Sequence, residues 1–153
     1  MESPQPPVAT VATPYLAIRG AAAAIDFYQR AFGAVEKGRL CEPSGKIGHA
    51  EIAIGDSPIM LSDEYPDFGA VSPMTLGGSP VRIHLSVADV DAFVARAVAA
   101  GATILRPITD QDYGERNCLI ADPFGYSWFV ATPVRTVSFA EMQRQFSAGM
   151  TGS

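Results

Sequence analysis

The stretch that decides the fold is Val81–Asp91, VRIHLSVADVD. Its apolar side chains alternate with polar ones, which predicts a strand with one buried face and one polar face. The buried face carries Ile83, Leu85 and Val87, and the polar face carries Arg82, His84 and Ser86. After Ala88 the hydrophobic period changes to about 3.6 residues, so a helix follows the strand directly, with Asp89 as its N-cap.

A complete structural module begins with this strand and continues with the helix. The helix spans Val90–Ala100, with Gly101 as its C-terminal cap, and its predicted buried stripe is Val90, Phe93, Val94, Ala97 and Val98. Three further strands follow it, near Thr103–Pro107, Asn117–Ala121 and Ser127–Thr132. The order of elements in this half of the chain is therefore βαβββ.

The same order occurs once before, nearer the N-terminus. A strand over Val11–Ile18 precedes a helix over Ala21–Phe32, with Gly33 as its cap. The strands predicted next are Val35–Cys41, Gly48–Ile54 and Pro58–Ser62. Aligning YLAI with HLSV superposes Tyr15 on His84, so the chain is an internal duplication.

Three other segments complete the predicted domain organisation. Residues 1–10 are rich in proline and are expected to be a disordered tail, before the first module at 11–62. Residues 63–80 lack a hydrophobic period and form a linker and candidate lid, before the second module at 81–132. Residues 133–153 contain a capping-box sequence, SFAE, which predicts a short terminal helix from Ser138 to about Phe146.

Composition excludes several classes of protein. The net charge of −5, without a basic run, argues against nucleic acid as a partner and favours a neutral or cationic small ligand. No apolar run is long enough for a membrane span, and the start MESPQPP lacks signal-peptide features, so we expect a cytoplasmic protein. Cys41 and Cys118 have no CxxC spacing and are interpreted as reduced packing residues.

Three longer segments of the chain resemble sequences of one superfamily. They are HAEIAIGDSPIMLSDE, LGGSPVRIHLSV and DQDYGERNCLIADPFGYSW. Together with the paired βαβββ order, they resemble the vicinal oxygen chelate superfamily, which includes glyoxalase I, bleomycin-resistance proteins and extradiol dioxygenases, and within it the PhnB-like branch. The resemblance implies an α+β fold in which two βαβββ modules form half-barrels around a central cup. It leaves function open, because this fold serves enzymes and binding proteins alike.

Metal-binding members of the superfamily place a His or Gln on the first strand of each module and a Glu on the last. His84 matches a first-strand position, but its counterpart is Tyr15. The two carboxylate positions fall on or near Ile59–Met60 and on Phe129, so both glutamates are missing. The resemblance therefore implies that the usual four-ligand ion is not held. No cofactor is expected beyond a weakly bound divalent metal.

A different set of polar residues is a candidate for metal binding. Alternation along GHAEIAI places His49 and Glu51 on one strand face, and with His84 they could form a two-His-one-carboxylate site. The alternative is that His49 and Glu51 lie on a solvated face or pair with each other. For His84 the alternative is an uncharged imidazole that is hydrogen-bonded in the wall of the cup.

Several other side chains are candidates for ligand binding. Arg116 could bind a carboxylate or phosphonate, or could instead pair with Asp112 or Asp122. Trp128 and Phe129 point to opposite faces, so one of them should supply a stacking wall in the cup. The remaining candidates for the apolar lining are Tyr15, Tyr113 and Met60.

Two functions are compatible with this sequence. The first is a small-molecule-binding protein of the glyoxalase/bleomycin-resistance type, with a small organic ligand in the cup between the modules. The alternative is a metal-dependent lyase, isomerase or dioxygenase of the same superfamily. In both cases we expect a homodimer, because isolated half-barrels leave strand edges and apolar faces uncovered.

Overall fold

The computed structural model describes residues 2–151, and its first half is one βαβββ module. The elements of this module are β1 (Tyr15–Ile18), α1 (Ala21–Phe32), β2 (Val35–Cys41), β3 (Ile47–Ile54) and β4 (Ser57–Asp63). A 3₁₀ turn at Pro66–Phe68 and the short helix α2 (Pro73–Leu76) lie between the two modules. The second module consists of β5 (Arg82–Ser86), α3 (Val90–Ala100), β6 (Thr103–Asp110), β7 (Glu115–Ala121) and β8 (Ser127–Pro133), and α4 (Phe139–Thr151) follows it.

The strands form two four-stranded sheets of identical topology. The first sheet has the order β1-β4-β3-β2, and the second has the order β5-β8-β7-β6. The β1–β4 and β5–β8 pairs are parallel, and the remaining pairs are antiparallel. The matching orders confirm the α+β fold and the duplication predicted from the sequence.

Helices α1 and α3 pack between the two sheets and join the modules through one core. The Phe32 ring of α1 stacks on the Phe93 ring of α3, with centroids 5.4 Å apart. The Arg96 guanidinium of α3 donates to the carbonyl oxygens of Arg30 and Gln29 at the end of α1. Because both helices are covered by sheets, their apolar stripes are buried on more than one side.

The predicted bounds and caps of α1 and α3 agree with the structure, whereas α4 continues to Thr151, past its predicted end near Phe146. Asp89 accepts a hydrogen bond from the amide of Ala92, as expected for an N-cap. Gly33 has a left-handed conformation and ends α1. Val98 was predicted to be buried but is 42% exposed, because it lies at the margin of the helix face that packs on the sheet.

Two strands have ends that differ from the predicted ones, because the end of a strand depends on its hydrogen-bonding partner in the sheet. Strand β1 begins at Tyr15 rather than Val11. Pro14, just before it, has no N–H to donate, although its carbonyl oxygen accepts from the Met60 amide. Strand β6 continues past Pro107 to Asp110, because an edge strand tolerates a proline at an irregularity in its register.

A buried carboxylate closes the turn between β7 and β8. Asp122 accepts hydrogen bonds from the Tyr28 hydroxyl at 2.6 Å and from the Trp128 indole N–H at 2.9 Å. It also accepts from the backbone amides of Phe124 and Tyr126. Burial raises the pKa of Asp122, although these four donors oppose the rise. These contacts give the DPFG turn, residues 122–125, a structural role.

Each sheet consequently has an inner face, packed on the helices, and an outer face turned away from them. Leu16 and Ile18 of β1 lie on the inner face and are at most 5% exposed, whereas Tyr15 between the two modules' edges is 54% exposed. In the second sheet Leu85 is buried, and His84 beside it is exposed. The predicted polar and apolar faces of Val81–Asp91 are therefore the outer and inner faces of the second sheet.

Two surface features complete the fold. Helix α4 begins after Ser138, whose hydroxyl accepts from the Glu141 amide, and its Phe139 and Phe146 side chains are 87% and 64% exposed. Cys41 is exposed on the edge strand β2, so its interpretation as a packing residue was wrong, whereas Cys118 is buried.

Among residues 2–151, the helices are too short or too polar to cross a membrane.

Candidate functional site

The outer face of the first sheet brings together four of the residues predicted for the site. Tyr15, Met60 and Glu51 form one row across β1, β4 and β3. The Tyr15 hydroxyl oxygen lies 2.6 Å from His49 Nδ1, and His49 Nε2 lies 4.0 Å from Glu51 Oε1. The face therefore offers a half-buried imidazole and an exposed carboxylate beside an aromatic ring.

The equivalent row on the second sheet is more apolar. His84 of β5, Phe129 of β8 and Leu119 of β7 are neighbours in register. His84 Nε2 lies 3.1 Å from Glu115 Oε1. The guanidinium carbon of Arg82 lies 5.4 Å from the centroid of the Phe129 ring. A histidine–carboxylate pair thus lies next to an aromatic wall.

Glu115 also belongs to a hydrogen-bonded group that the sequence prediction missed. The buried Asn117 side chain donates to the Tyr113 hydroxyl at 2.8 Å and to Glu115 Oε2 at 3.2 Å. Its carbonyl oxygen accepts from the Gln111 amide at 3.0 Å. The predicted strand began at Asn117 rather than Glu115, so Glu115 was not placed on a face. The turn DYGE, which ends at Glu115, was the available signal that a strand begins at this residue.

Tyr15 borders several clefts on this side of the molecule, two of which bear on the site. A cleft of about 630 Å³ runs between the edge strands of the two sheets, where Tyr15 and Leu16 face Arg82, Ile83 and His84. A second cleft, of about 450 Å³, lies on the first sheet below the 3₁₀ turn, and Tyr15, Tyr65 and Phe68 contribute to its wall. The first-strand residues of both modules therefore border one cavity.

The structure does not assemble the proposed two-His-one-carboxylate set within one chain. His49 and Glu51 lie on the first sheet, and the carboxylate beside His84 belongs to Glu115. Across residues 2–151, no group of three or more His, Cys, Asp or Glu side chains is close enough to hold a metal ion. The positions of Met60 and Phe129, in register with Tyr15 and His84, put hydrocarbon next to the first-strand residues.

Arg116 and Trp128 are located away from these clefts. Arg116 forms two hydrogen bonds of 2.9 Å with Asp91 of α3 and an ion pair with Asp110, not with Asp112 or Asp122. These carboxylates raise the pKa of Arg116 well above its ordinary value. It points to the helix side because it alternates with Glu115 on β7. Trp128 is fully buried on the inner face, so Phe129 is the residue on the outer face.

Tyr113 lies at a separate groove. Its side chain, with Gln111 and Asp112, faces Phe139, Met142 and Phe146 of α4 across a cavity of about 470 Å³. Its hydroxyl nevertheless contacts Asn117, which links this groove to the His84–Glu115 pair. The structure thus places Tyr113 at the margin of the second outer face.

Two four-stranded sheets of identical order, each with one crossing helix, define the vicinal oxygen chelate class of folds. Residues 9–130 match the model of the Glyoxalase/Bleomycin resistance protein/Dioxygenase superfamily, and the chain belongs to that superfamily. The resemblance to this superfamily that the sequence motifs indicated is therefore confirmed.

Several proteins are similar to this chain in sequence, in fold or in both. The protein Mb0911c of Mycobacterium bovis is 45% identical over 139 residues, which cover 89% of this chain and 91% of that protein. The crystal structure of the Arabidopsis thaliana product AT5G48480 has a TM-score of 0.66 and 29% identity, covering 81% of this chain and 99% of that one. TioX from Micromonospora sp. ML1 has a TM-score of 0.63 and 26% identity, with 84% and 100% coverage. A PhnB protein from Bacillus cereus, with a TM-score of 0.62, 17% identity and 80% and 99% coverage, shares the fold.

Proposed function

We propose that this protein binds a small organic molecule, whose body lies in the cleft between β1 and β5. The observation that carries the proposal is that Tyr15 of one module and His84 of the other border the same cavity of about 630 Å³. A cavity of this size suits a ligand with several rings or a long side chain. Under this proposal, binding requires no complete metal site.

The chemistry of the cleft wall supports a ligand with both apolar and hydrogen-bonding groups. The Tyr15 ring lines the cleft. Next to the cleft on the outer faces, the Met60 thioether is in register with Tyr15 and the Phe129 ring is in register with His84. His84 with Glu115 supplies a positioned imidazole, and Tyr15 with His49 supplies a second hydrogen-bonded pair. A flat ligand can stack on the rings while its polar groups bind the imidazoles.

The same proposal includes a homodimer. The edge strands β2 and β6 and the outer faces are uncovered in a single chain, and Leu40, Ile104 and Leu105 on those edges are all at least 45% exposed. A second copy would cover these edges and deepen the clefts on the outer faces. Sedimentation velocity at micromolar concentration should show twice the mass of the chain, and a stable monomer would contradict the dimer.

A metal-dependent lyase, isomerase or dioxygenase is the second candidate. The observation that favours it is the 3.1 Å contact between His84 and Glu115, because an imidazole and a carboxylate are both ligands of divalent ions. Under this alternative, these two side chains would hold the ion and open positions would take the substrate. The residues in register with them, Phe129 and Leu119, supply no further ligand atoms.

Ligand binding with and without metal separates the two candidates. The purified protein is screened by thermal shift against aromatic compounds in the presence of a chelator, and again with zinc, nickel, iron or manganese. A binding protein is stabilised by a ligand in the chelator, since a ligand that binds the folded state raises its stability by mass action. Stabilisation or turnover only with metal would favour the enzyme.

A matched pair of variants locates the site in this screen. We expect His84→Ala to weaken ligand affinity about tenfold, the effect of losing one directional hydrogen bond and its contact surface. Gln143→Ala on α4 changes an exposed polar side chain far from the cleft and should leave the affinity unchanged. Equal affinities of the two variants would contradict the location of the site.

A further inference from the structure

The smaller cleft beside Tyr15 has a composition that differs from the rest of the outer face. It has a volume of about 450 Å³, and its lining includes the rings of Tyr15, Tyr65 and Phe68, together with the Glu42 carboxylate. Three aromatic rings and one carboxylate are the groups that bind an alkylammonium cation, through the negative ring faces and through charge. Phe68 is 87% exposed at its margin, and that exposed ring is available to a ligand.

Contacts within the chain hold this cleft in shape. The Tyr65 hydroxyl donates to Glu42 Oε2 at 2.6 Å, and the bond raises the pKa of Tyr65 to about 12, so the phenol stays protonated at neutral pH. Tyr65 and Ala70 exchange two backbone hydrogen bonds that close the loop carrying Phe68. The Tyr65 ring and the backbone of the loop that carries Phe68 are therefore placed before any ligand arrives, which lowers the cost of binding.

The charges around the cleft favour a cation. The Glu42 carboxylate lines the cleft and accepts the hydrogen bond of the Tyr65 hydroxyl. Lys46 already lies over the Tyr65 ring, with Nζ 4.0 Å from the centroid, and it does not line the cleft. This contact occupies one face of the Tyr65 ring, so a ligand cation would be held mainly by the Tyr15 and Phe68 rings and the Glu42 carboxylate.

From these observations we infer that the cleft formed by Tyr15, Tyr65, Phe68 and Glu42 binds an alkylammonium group of the ligand. The inference rests on the proposed function and adds the chemical class of the ligand. Because Tyr15 borders both clefts, one molecule can place an aromatic body between Tyr15 and His84 and extend a cationic arm over Phe68. The ligand class is an amine or quaternary ammonium compound with an apolar body.

Choline and its neutral isostere 3,3-dimethylbutan-1-ol test the inference, because they differ in the charge of a single atom. Binding is followed by NMR titration of the full chain. We expect choline to bind about tenfold more tightly than the alcohol, with shifts at Tyr65 and Phe68. Equal binding of the two probes, or no binding of choline, would overturn the inference.

Two variants and two matched controls localise the effect. Glu42→Gln keeps an acceptor for the Tyr65 hydroxyl but removes the charge, and Phe68→Ala removes an exposed ring, so each should weaken choline binding about threefold to tenfold. Glu141→Gln and Phe139→Ala make the same chemical changes on α4 and should leave it unchanged. Choline binding that survives both site variants would contradict the assignment.

The outcome also distinguishes this inference from the proposed function. If neutral aromatic compounds bind wild-type protein at the Tyr15–His84 cleft but choline does not bind, the ammonium site is wrong and the proposed function stands. If neither class of compound binds, both are wrong.

Discussion

His84 Nε2 lies 3.1 Å from Glu115 Oε1, although the two residues belong to different strands and are 31 positions apart. In the first module the histidine on the outer face, His49, contacts the Tyr15 hydroxyl instead, at 2.6 Å. The duplicated modules thus each orient one imidazole, but with different partners. The polar groups on the outer faces of the two modules therefore differ: a tyrosine–histidine pair on the first and a histidine–carboxylate pair on the second.

The first prediction concerns the protonated nitrogen of His84. A carboxylate only accepts hydrogen bonds, so a neutral His84 should carry its proton on Nε2, facing Glu115. Long-range ¹H–¹⁵N NMR of labelled protein above the titration range of the imidazole identifies the tautomer. Glu115→Ala should produce a mixture of tautomers, whereas a predominant Nδ1–H form in the wild type would contradict the contact.

The adjacent residues Phe129 and Trp128 should have opposite phenotypes. Phe129→Ala should weaken ligand affinity about tenfold and reduce stability only slightly, because its ring lies half-buried on the outer face. Trp128→Ala should lower the free energy of unfolding by about 3–5 kcal/mol, because the indole is fully buried and donates to Asp122. Urea denaturation and calorimetric titration measure the two effects, and a reversed pattern would show that the faces are assigned incorrectly.

Substitution of Arg116 should leave ligand affinity intact. Its guanidinium is bound to Asp91 and Asp110 on the helix side of β7, so Arg116→Gln should reduce stability slightly and leave the dissociation constant unchanged. His84→Ala in the same titration is the positive control. A large loss of affinity in Arg116→Gln alone would restore the sequence-based hypothesis that this residue binds a ligand anion.

Acid stability should depend on Glu64. Hydrogen bonds from Ser72 and Thr75 lower the pKa of Glu64 to about 2. A lowered pKa in the folded state means that the contribution of Glu64 to stability is present above its unfolded pKa of about 4.5 and is lost as the pH falls towards about 2. Thermal melts between these pH values should therefore show a steeper decline for wild type than for Glu64→Gln. Parallel declines would refute the contribution.

Helix positions could be predicted from the sequence because helix periodicity is local. The bounds of Ala21–Phe32 and Val90–Ala100 follow from apolar spacing and from the caps beside them. Strand ends depend on partners that are distant in sequence, which is why the start of β7 at Glu115 was missed. The missed start also hid the contact between Glu115 and His84.

The site could be predicted only in part, for a similar reason. Alternation correctly separated Trp128 from Phe129, but only the packing of α1 and α3 determines which side is buried. The pairing of Arg116 with Asp91 joins a strand to a helix in the same module, and no spacing rule indicates it. The cleft shared by Tyr15 and His84 depends on how the two sheets are placed around the helices.

The most direct test of the central claim is an NMR titration of ¹⁵N-labelled protein, in a chelator, with an aromatic amine selected by thermal shift. The account predicts saturable shifts that are largest for the amides of Tyr15, Ile83 and His84, which border the cleft between the modules. Shifts confined to the groove between Tyr113 and Phe146, or binding that appears only after a divalent metal is added, would contradict it.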